Sequence, residues 1–449
     1  MSVSSSQPPR PSLSDIMLAS ARNVLAVKEG RSLSESLAAT PPELRAATQA
    51  ITFHVMRRAG LAHEVKQELV PRTPPNALFD ALLLVSLVLL DTAMDAELGQ
   101  KANLTIRRDW PVYAVHTVVD QAVNAASSQQ AMRSYTGLLN GTLRRFTRER
   151  AAILAQARKN PEAQWNHPAW WIHQLRRAYP DQWRALLDAA NRPGPMALRV
   201  NLRRTSVQQV LEALEQAGIE AKPMGAAGVM LAAPRPVQAV PGFAEGWWSV
   251  QDASAQLAAV LLNPVAGMRV LDACAAPGGK TSHLLELADI SLTALDSDAG
   301  RLTRVEQTLE RLGLGGDHVH LKAADAADLD AWWDGTPFDA VLADVPCTAS
   351  GIVRRHPDIR WLRREADIAK TAALQRKIVD ALWKTVKPGG RLLYATCSIF
   401  PQEGEQQAMR FLETHADAAR LPAPGQLLPL GEEEQLSDGF FYALFAKQA

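Results

Sequence analysis

The segment Leu271–Thr281, which reads LDACAAPGGKT, is the most informative part of this chain of 449 residues. An apolar run ends at Asp272, and Gly278 and Gly279 follow just before a helical pattern begins. Glycines let the backbone approach a ligand closely. The segment therefore predicts a strand, a ligand-binding loop and a helix in succession.

Further apolar runs downstream also end in an acidic residue or a cysteine, and helical segments separate them. The five runs are Val270–Cys274, Leu292–Asp296, Val319–Asp325, Ala340–Asp344 and Arg391–Cys397. Alternation of strands and helices predicts an α/β fold with a parallel, doubly wound sheet. Ligands bind at the carboxyl ends of the strands in such a sheet, so the residues that end these runs are expected at one edge.

The rest of the chain divides into regions of different character. Residues 1–12 are rich in Ser, Pro and Gln and are expected to be a disordered lead-in. Residues 13–150 show helical apolar spacing interrupted by prolines, which predicts an all-helical bundle. Residues 151–240 combine short helices, a strand and a Gly-rich hairpin, typical of a small α+β module. Residues 241–449 form the α/β domain.

Composition limits the class of protein. Hydrophobic residues make up 47% and charged residues 21% of the chain, as in soluble globular proteins, and the net charge is +1. The three cysteines exclude a disulfide framework and favour the cytoplasm, and their spacing predicts no metal site. The most apolar stretch, Ala77–Leu90, is shorter than the roughly 20 residues that span a bilayer. It predicts a buried core helix, and no membrane association is expected.

Three kinds of ligand loop compete for the glycine segment. A dinucleotide site needs G-x-G-x-x-G, which is absent, and a Walker A loop needs a glycine where Cys274 stands. An S-adenosylmethionine site fits better, because that ligand has no phosphates to bind. Asp296 would accept hydrogen bonds from ribose hydroxyls, and Asp325 would reach the adenine amino group. The alternative is that these aspartates only cap helices.

The remaining two cysteines end neighbouring strands, in Asp344-Val345-Pro346-Cys347 and in Ala395–Ser398. Methylation of an amine or a hydroxyl needs no thiol. Carbon 5 of cytosine is a poor nucleophile, and a thiolate that adds to carbon 6 activates it, which is covalent catalysis. Lys280 would supply a positive charge that favours the thiolate. The alternative is that each cysteine is a small buried hydrophobe.

These residues resemble the RNA 5-methylcytosine methyltransferases of the NOL1/NOP2/Sun type, and the resemblance spans nearly the whole chain. In the catalytic half it rests on four segments: Val250–Ser254, Asp272–Lys280, Asp344–Cys347 and Ala395–Ser398. Upstream it rests on Leu198–Asn201, and on Leu138–Arg145, which is similar to the last helix of a NusB-like RNA-binding domain.

The resemblance implies a Rossmann-like methyltransferase domain at 241–449, preceded by a NusB-like domain at 13–150. It implies Cys397 as the nucleophile and Cys347 as an aid to product release, although DNA cytosine methyltransferases use the Pro-Cys thiol for attack, so the opposite assignment stays open. Asp344 and Lys280 would assist catalysis. The implied S-adenosylmethionine-binding positions are Cys274, Ala275, Ala276, Pro277, Gly278, Gly279, Lys280, Asp296, Asp325 and Asp344. The substrate would be one cytosine in small-subunit ribosomal RNA, and no obligate protein partner is expected for the monomer.

Local charge favours an RNA substrate. Residues 144–204 carry thirteen Arg or Lys against four Asp or Glu, interleaved with Trp165, Trp170, Trp171 and Trp183. Basic groups contact phosphates, and exposed aromatic rings stack on unpaired bases. Core packing is the alternative for the tryptophans. A second basic cluster, expected to hold RNA beside the catalytic cleft, comprises Arg354, Arg355, Arg360, Arg363 and Arg364.

A non-catalytic RNA-binding factor and a P-loop NTPase are the competing functions.

Overall fold

The computed structural model describes residues 11–72, 74–101, 110–430 and 437–448, so most of the predicted lead-in lies outside the described residues. The helices are α1 Leu13–Lys28, α2 Leu33–Ala38, α3 Pro42–Arg57, α4 Ala59–Leu69, α5 Ala77–Lys101, α6 Val115–Ser128, α7 Thr136–Ala157, α8 Pro161–Trp165, α9 Ala169–Ala178, α10 Trp183–Ala190, α11 Val207–Gln216, α12 Ala253–Leu262, α13 Gly279–Leu287, α14 Ala299–Leu312, α15 Leu329–Trp332, α16 Ile359–Leu362, α17 Glu365–Thr385 and α18 Glu405–Thr414. The strands are β1 Met196–Val200, β2 Ala221–Met224, β3 Gly228–Leu231, β4 Trp248–Val250, β5 Arg269–Asp272, β6 Ser291–Asp296, β7 Val319–Ala323, β8 Phe338–Asp344, β9 Val386–Thr396, β10 Ala418–Leu427 and β11 Phe440–Lys447.

The chain forms two compact units. The first comprises Met1–Pro193 and Val353–Arg364, and the second comprises Gly194–Ile352 and Glu365–Ala449. The division at Pro193 falls inside the predicted 151–240 module. The helical unit thus includes a segment that follows β8 in the chain, which the sequence did not indicate.

The described part of the first unit is helical, as predicted. Ser12 and Ser32 cap the N-termini of α1 and α2, and each hydroxyl accepts a hydrogen bond from a backbone N–H of the first turn at 3.2 Å. The apolar helix α5 is long and apolar enough to cross a membrane, but 83% of its most apolar stretch is buried within the protein. It packs in the core with residues of α1, α3, α4, α6 and α7, which confirms the predicted core helix.

The second unit contains a seven-stranded sheet in the order β10-β11-β9-β8-β5-β6-β7. Strands β9, β8, β5, β6 and β7 are mutually parallel, which confirms the predicted doubly wound arrangement. Both faces are covered. Val270 and Leu342 pack with α12, α13 and α14, whereas Leu271 and Val341 pack with α17 and α18. Strands that are buried on both faces have continuous apolar sequences, as β5 and β8 largely do.

The edge of this sheet departs from the prediction. Strand β11 pairs with β9 in the antiparallel direction, and β10 pairs with β11 in the same way. The sheet is therefore mixed rather than wholly parallel. An antiparallel edge on an otherwise parallel sheet is common in α/β folds.

The same unit holds a second, antiparallel sheet of four strands, in the order β2-β3-β1-β4. Ser206 caps the N-terminus of helix α11, where its hydroxyl and Gln209 form a capping box. The hairpin of β2 and β3 turns at Gly225, which has a φ of +59°. The predicted strand, amphipathic helix and hairpin are thus confirmed as elements.

Candidate active site

The glycine segment forms the predicted loop at the carboxyl end of β5. Asp272 ends β5, and residues 273–278 lead into α13, which begins at Gly279. Gly278 has a φ of +98°, and a Cβ there would lie 3.1 Å from the Cα of Val305. Glycine is therefore required at this position both by the backbone conformation and by the close approach of α14.

Two of the predicted carboxylates lie against this loop. The backbone amide of Ala276 donates to Asp296, at the end of β6, over 3.2 Å. The ammonium group of Lys280, in the first turn of α13, donates to Asp344 at the end of β8. The structure thus brings the loop residues Cys274–Lys280 together with both strand ends.

Asp325 is placed differently. It lies two residues beyond β7 and is exposed, and its carboxylate accepts the amide of Ala327 at 2.9 Å. Its second oxygen lies 3.6 Å from the ammonium of Lys377. Among the described residues, its hydrogen bonds and ion pairs reach no other member of the predicted site.

Asp272 is almost fully buried beneath the loop. Its Oδ2 accepts the hydroxyl of Thr281 at 2.7 Å, while its Oδ1 is buried without a hydrogen-bond partner in the part of the chain that the structure describes. Burial raises its pKa from 3.8 to about 7, and the nearby Asp344 acts in the same direction. A buried acceptor and two strand-end carboxylates are a set of hydrogen-bond acceptors that suits the ammonium group and hydroxyls of S-adenosylmethionine.

The thiols of Cys347 and Cys397 face each other at the ends of β8 and β9. Their sulfur atoms lie 3.4 Å apart, within hydrogen-bond distance for sulfur. The sulfur of Cys347 also accepts the amide of Ala349 at 3.4 Å. Both cysteines are partly exposed, so neither is a sealed core residue. This geometry disfavours the interpretation of the cysteines as small buried hydrophobes.

The surroundings of Cys347 favour its protonated form. The pKa of Cys347 is raised well above its ordinary value, chiefly because its S–H is held in the hydrogen bond with Cys397, and burial and the charges of Cys397 and Glu403 add to this effect. Cys347 is therefore a protonated thiol at neutral pH. It can donate its proton toward the sulfur of Cys397.

Lys280 supplies positive charge at the same place. Burial lowers the pKa of its ammonium group, but Asp344 and the sulfur of Cys397 more than offset this, so the pKa is raised. Its Nζ also lies 5.3 Å from the centroid of the Phe440 ring. Lys280 thus places a positive charge close enough to act on the sulfur of Cys397, and its role in favouring the thiolate stays a prediction.

The sequence did not indicate the role of Arg199, which lies on β1 and is fully buried. Its guanidinium donates to both oxygens of Glu286 at 2.7 and 2.8 Å and to Ser282 at 2.9 Å. It also donates to the carbonyl of Gly279 at 2.6 Å and to Gln251 at 2.5 Å. Arg199 therefore fixes the start of α13. Its one signal in the sequence is a charged residue within an apolar strand.

A second residue that the sequence did not reveal is Glu403, which has no exposed surface. It accepts hydrogen bonds from Thr348 and Ser398, the residues that follow the two cysteines. Its signal is the one acidic residue in a short loop, Ile399–Gly404, directly after the second cysteine segment.

The predicted RNA-contacting residues have mixed outcomes. Trp171 and Trp183 are buried, at 1% and 8% exposure, and belong to the core of their unit. Trp165 and Trp170 are half-buried, and the ring of Trp165 packs edge-on against Trp183. Core packing therefore accounts for at least the two buried rings.

The second basic cluster is corrected in part. Arg354 and Arg360 are 3% and 0% exposed, so the expectation that they contact RNA is wrong. The reason is that their segment, Val353–Arg364, packs into the helical unit. The exposed Arg364 and the half-buried Arg355 and Arg363 stay predictions.

Comparison with known proteins shows similarity to ribosomal RNA methyltransferases over most of the chain. The family model for 16S rRNA methyltransferase RsmB/F matches residues 259–446, and the model for the ferredoxin-like domain of RsmF/B-like methyltransferases matches residues 167–238. Ribosomal RNA small subunit methyltransferase B of Vibrio cholerae is 41% identical over 432 residues, which cover 93% of this chain and 94% of that protein.

Solved structures share the fold. The crystal structure of PH0851 has a TM-score of 0.74 at 24% identity and covers 98% of this chain and 100% of that one. A methyltransferase homolog from Pyrococcus horikoshii is 29% identical with a TM-score of 0.52, covering 62% of this chain and 99% of that one. On the strength of the relative that matches it nearly end to end, the chain belongs to the RsmB/F family of ribosomal RNA small-subunit methyltransferases.

Proposed function

We propose that this chain methylates carbon 5 of a cytosine in small-subunit ribosomal RNA, with S-adenosylmethionine as the methyl donor and Cys397 as a covalent nucleophile. The observation that carries the proposal is the pair of thiols 3.4 Å apart at the ends of adjacent parallel strands. The Lys280–Asp344 ion pair lies beside them. Methylation of nitrogen or oxygen gives no reason for two thiols at this edge.

The chain's own groups account for the covalent steps. The sulfur of Cys397 bonds to carbon 6 of the ring, and the electrons of the 5,6 double bond move into the ring, so that carbon 5 becomes nucleophilic. Asp344 accepts hydrogen bonds from the Watson–Crick edge and stabilises the adduct. Release requires transfer of the carbon 5 proton to a base such as water. The electron pair of that carbon–hydrogen bond restores the 5,6 double bond, while the carbon–sulfur bond breaks and its electron pair returns to Cys397. Cys347, in contact with that sulfur, assists this step.

The cofactor would be held by the loop Cys274–Lys280 and by Asp296 and Asp344, with Asp325 as the outermost member. When bound, S-adenosylmethionine supplies an electrophilic methyl group on a sulfonium ion. The buried Asp272 and the hydrogen bond from Arg199 to the carbonyl of Gly279 restrain this loop. Such preorganisation lowers the cost of binding a ligand.

The remaining regions are proposed to serve the RNA. The region 13–150 is a NusB-like RNA-binding domain, 151–240 is a connecting module, and 241–449 carries the methyltransferase. The excess of basic residues over 144–204 supports phosphate contacts by the first two. We also propose that the protein acts as a monomer in the cytoplasm, where its three free cysteines stay reduced.

The two cysteines give the decisive test. We expect Cys397→Ala to abolish methyl transfer while RNA binding survives, because the variant lacks the sulfur that adds to carbon 6. We expect Cys347→Ala to accumulate a covalent protein–RNA adduct, because attack proceeds and release does not. Methyl transfer is measured with radiolabelled S-adenosylmethionine and bisulfite mapping of ribosomal RNA, and the adduct is seen on denaturing gels.

The double variant Cys347→Ala/Cys397→Ala is the matched control, since it should form no adduct. Undiminished methylation by Cys397→Ala would refute the assignment. Adduct formation by Cys397→Ala with an inactive Cys347→Ala would show instead that the two roles are exchanged.

A further inference from the structure

We propose that Glu403 is a positioning residue whose buried carboxylate joins the two cysteine loops and so sets the spacing of the thiols. Glu403 lies in the turn between β9 and α18 and contacts neither the glycine loop nor the thiols by hydrogen bonds. The inference rests on the proposed function, because it concerns the geometry of the two cysteines.

The carboxylate of Glu403 accepts hydrogen bonds from the loop that follows each cysteine. In the first loop, the amide of Thr348 donates to Oε1 at 2.8 Å, and the hydroxyl of Thr348 donates to Oε2. In the second loop, the hydroxyl of Ser398 donates to Oε2 at 2.6 Å. Each of these residues is the direct neighbour of a thiol-bearing residue, Cys347 or Cys397.

Helix α17 holds the same carboxylate from a third side. The hydroxyl of Thr371 donates to Oε1 at 2.6 Å, and the side-chain amide of Gln375 donates to Oε1 at 3.2 Å. Gln375 also donates to the carbonyl of Pro346, immediately before the first cysteine, at 3.0 Å. A change in the position of Glu403 would therefore move the first cysteine loop through two routes.

No Lys, Arg or His among the described residues forms an ion pair with Glu403. A fully buried carboxylate without a cation is costly unless neutral donors satisfy its oxygens. Its donors come from three separate segments, which the charge holds together. This arrangement is poor for folding, since an apolar side chain would fill the space more cheaply. It is well suited to fixing loops whose relative position matters for chemistry.

The charge also acts on the nearer thiol. The carboxylate of Glu403 contributes to the raised pKa of Cys347, after the hydrogen bond with Cys397, burial and the charge of that second sulfur. A neutral replacement should therefore lower the pKa of Cys347. This change would report directly on the charge of Glu403 beside the first thiol.

The test compares Glu403→Gln with Glu405→Gln. Glutamine keeps the shape of residue 403 but places an amide where several donors converge, so the loops must separate. We expect kcat for methyl transfer to fall about 10- to 100-fold, because small displacements of reacting groups have effects of this size. Affinity for S-adenosylmethionine should stay unchanged. Glu405 pairs with Arg420 and touches neither loop, so Glu405→Gln should keep the full rate.

A second readout follows the thiol itself. In a Cys397→Ser background, alkylation of Cys347 by iodoacetamide is measured against pH with and without Glu403→Gln. We expect the alkylation profile to move to lower pH when the carboxylate is removed. An unmoved profile together with a full methylation rate would overturn the proposal.

Thr371→Val covers the case in which Glu403→Gln fails to fold. It removes one donor on α17 and leaves both cysteine loops intact. We expect a smaller fall in kcat with unchanged cofactor affinity, whereas a wild-type rate would overturn the positioning role. Methylation that survives in Cys397→Ala would instead defeat the proposed function itself. An inactive Cys397→Ala with a fully active, folded Glu403→Gln would defeat the positioning role alone.

Discussion

Asp272 is a carboxyl group that folding removes from water, and this sets how the stability of the second unit responds to pH. Its folded-state pKa is about 7, above the ordinary value of 3.8, so the folded protein favours the neutral acid. The contribution of Asp272 to stability is therefore intact below about pH 4 and is lost as the pH rises through about 7.

We expect Asp272→Asn to remove this pH dependence, because asparagine does not titrate. Relative to the wild-type protein, the free energy of unfolding of the variant should rise by roughly 2–4 kcal/mol between about pH 4 and about pH 8. Urea unfolding at several pH values measures this free energy. Hydrogen exchange of the β5 amides then shows whether the change affects this strand. Parallel curves for the two proteins would show that Asp272 does not titrate in this range.

At the residue scale, the sequence singled out the groups that we propose to carry chemistry and missed those that hold them. Cys347 and Cys397 stood out because each follows a polar strand end within a short motif. Glu403 and Arg199 did not, because their partners are distant in the chain: Glu286 lies 87 residues from Arg199. The role of a buried charged residue depends on the groups that it contacts. A single sequence does not show which distant residues are in contact.

At the scale of elements, Arg199 links β1 to α13 through a buried ion pair with Glu286, whose side chain is 4% exposed. Burial raises the pKa of Glu286 despite the arginine, which shows that the carboxylate depends on this partner. Removal of the guanidinium would leave a buried carboxyl group without its donor. It would also free the first residue of α13, Gly279, which borders the ligand loop.

We expect Arg199→Met to destabilise the protein by about 3–5 kcal/mol, because one member of a buried ion pair is left unpaired. Affinity for S-adenosylmethionine should fall as well. Thermal unfolding and calorimetric titration measure the two effects. Arg203→Met is the control, because Arg203 pairs with the exposed Asp289 and should cost less than about 1 kcal/mol. Equal effects of the two substitutions would contradict the assigned role of Arg199.

Local sequence patterns predicted the parallel strands of the large sheet but not its antiparallel edge. The parallel strands β5, β6, β8 and β9 could be predicted because each is an apolar run that ends in a polar residue. Strand β10 has Pro422 and Pro424 within it, as edge strands tolerate. Its pairing with β11 depends on a contact between segments that no local pattern encodes, so the antiparallel edge was not predicted.

At the scale of the whole molecule, the segment Val353–Arg364 joins the helical unit although both its chain neighbours belong to the other unit. Arg360, fully buried, donates to the carbonyl of Ala190 and to Asn191, both at 2.6 Å. Burial lowers its pKa to about 9, with Arg57 acting in the same direction. The helical unit therefore encloses a charge that comes from elsewhere in the chain.

Two further hydrogen bonds fix the same segment. Asp358 accepts the amide of Leu33 at 2.9 Å, at the first residue of α2. The indole of Trp361 donates to the carbonyl of Met56 at 2.8 Å, near the end of α3. The segment thus satisfies backbone groups at the termini of two helices, which otherwise need other partners. Residues 1–193 alone lack part of their own hydrogen bonding and core.

We expect a fragment of residues 11–193 to be less stable than the same fragment carrying residues 353–364 through a Gly/Ser linker. The added segment restores the hydrogen bonds of Arg360, Asp358 and Trp361, and each buried bond contributes about 0.5–3 kcal/mol. The midpoint of thermal unfolding measures the gain. A linked segment with Arg360→Met and Trp361→Ala is the control and should recover little of it. Equal midpoints for all three proteins would mean that the helical unit folds without the segment. The inclusion of residues 353–364 in this unit would then not be explained by a gain in stability.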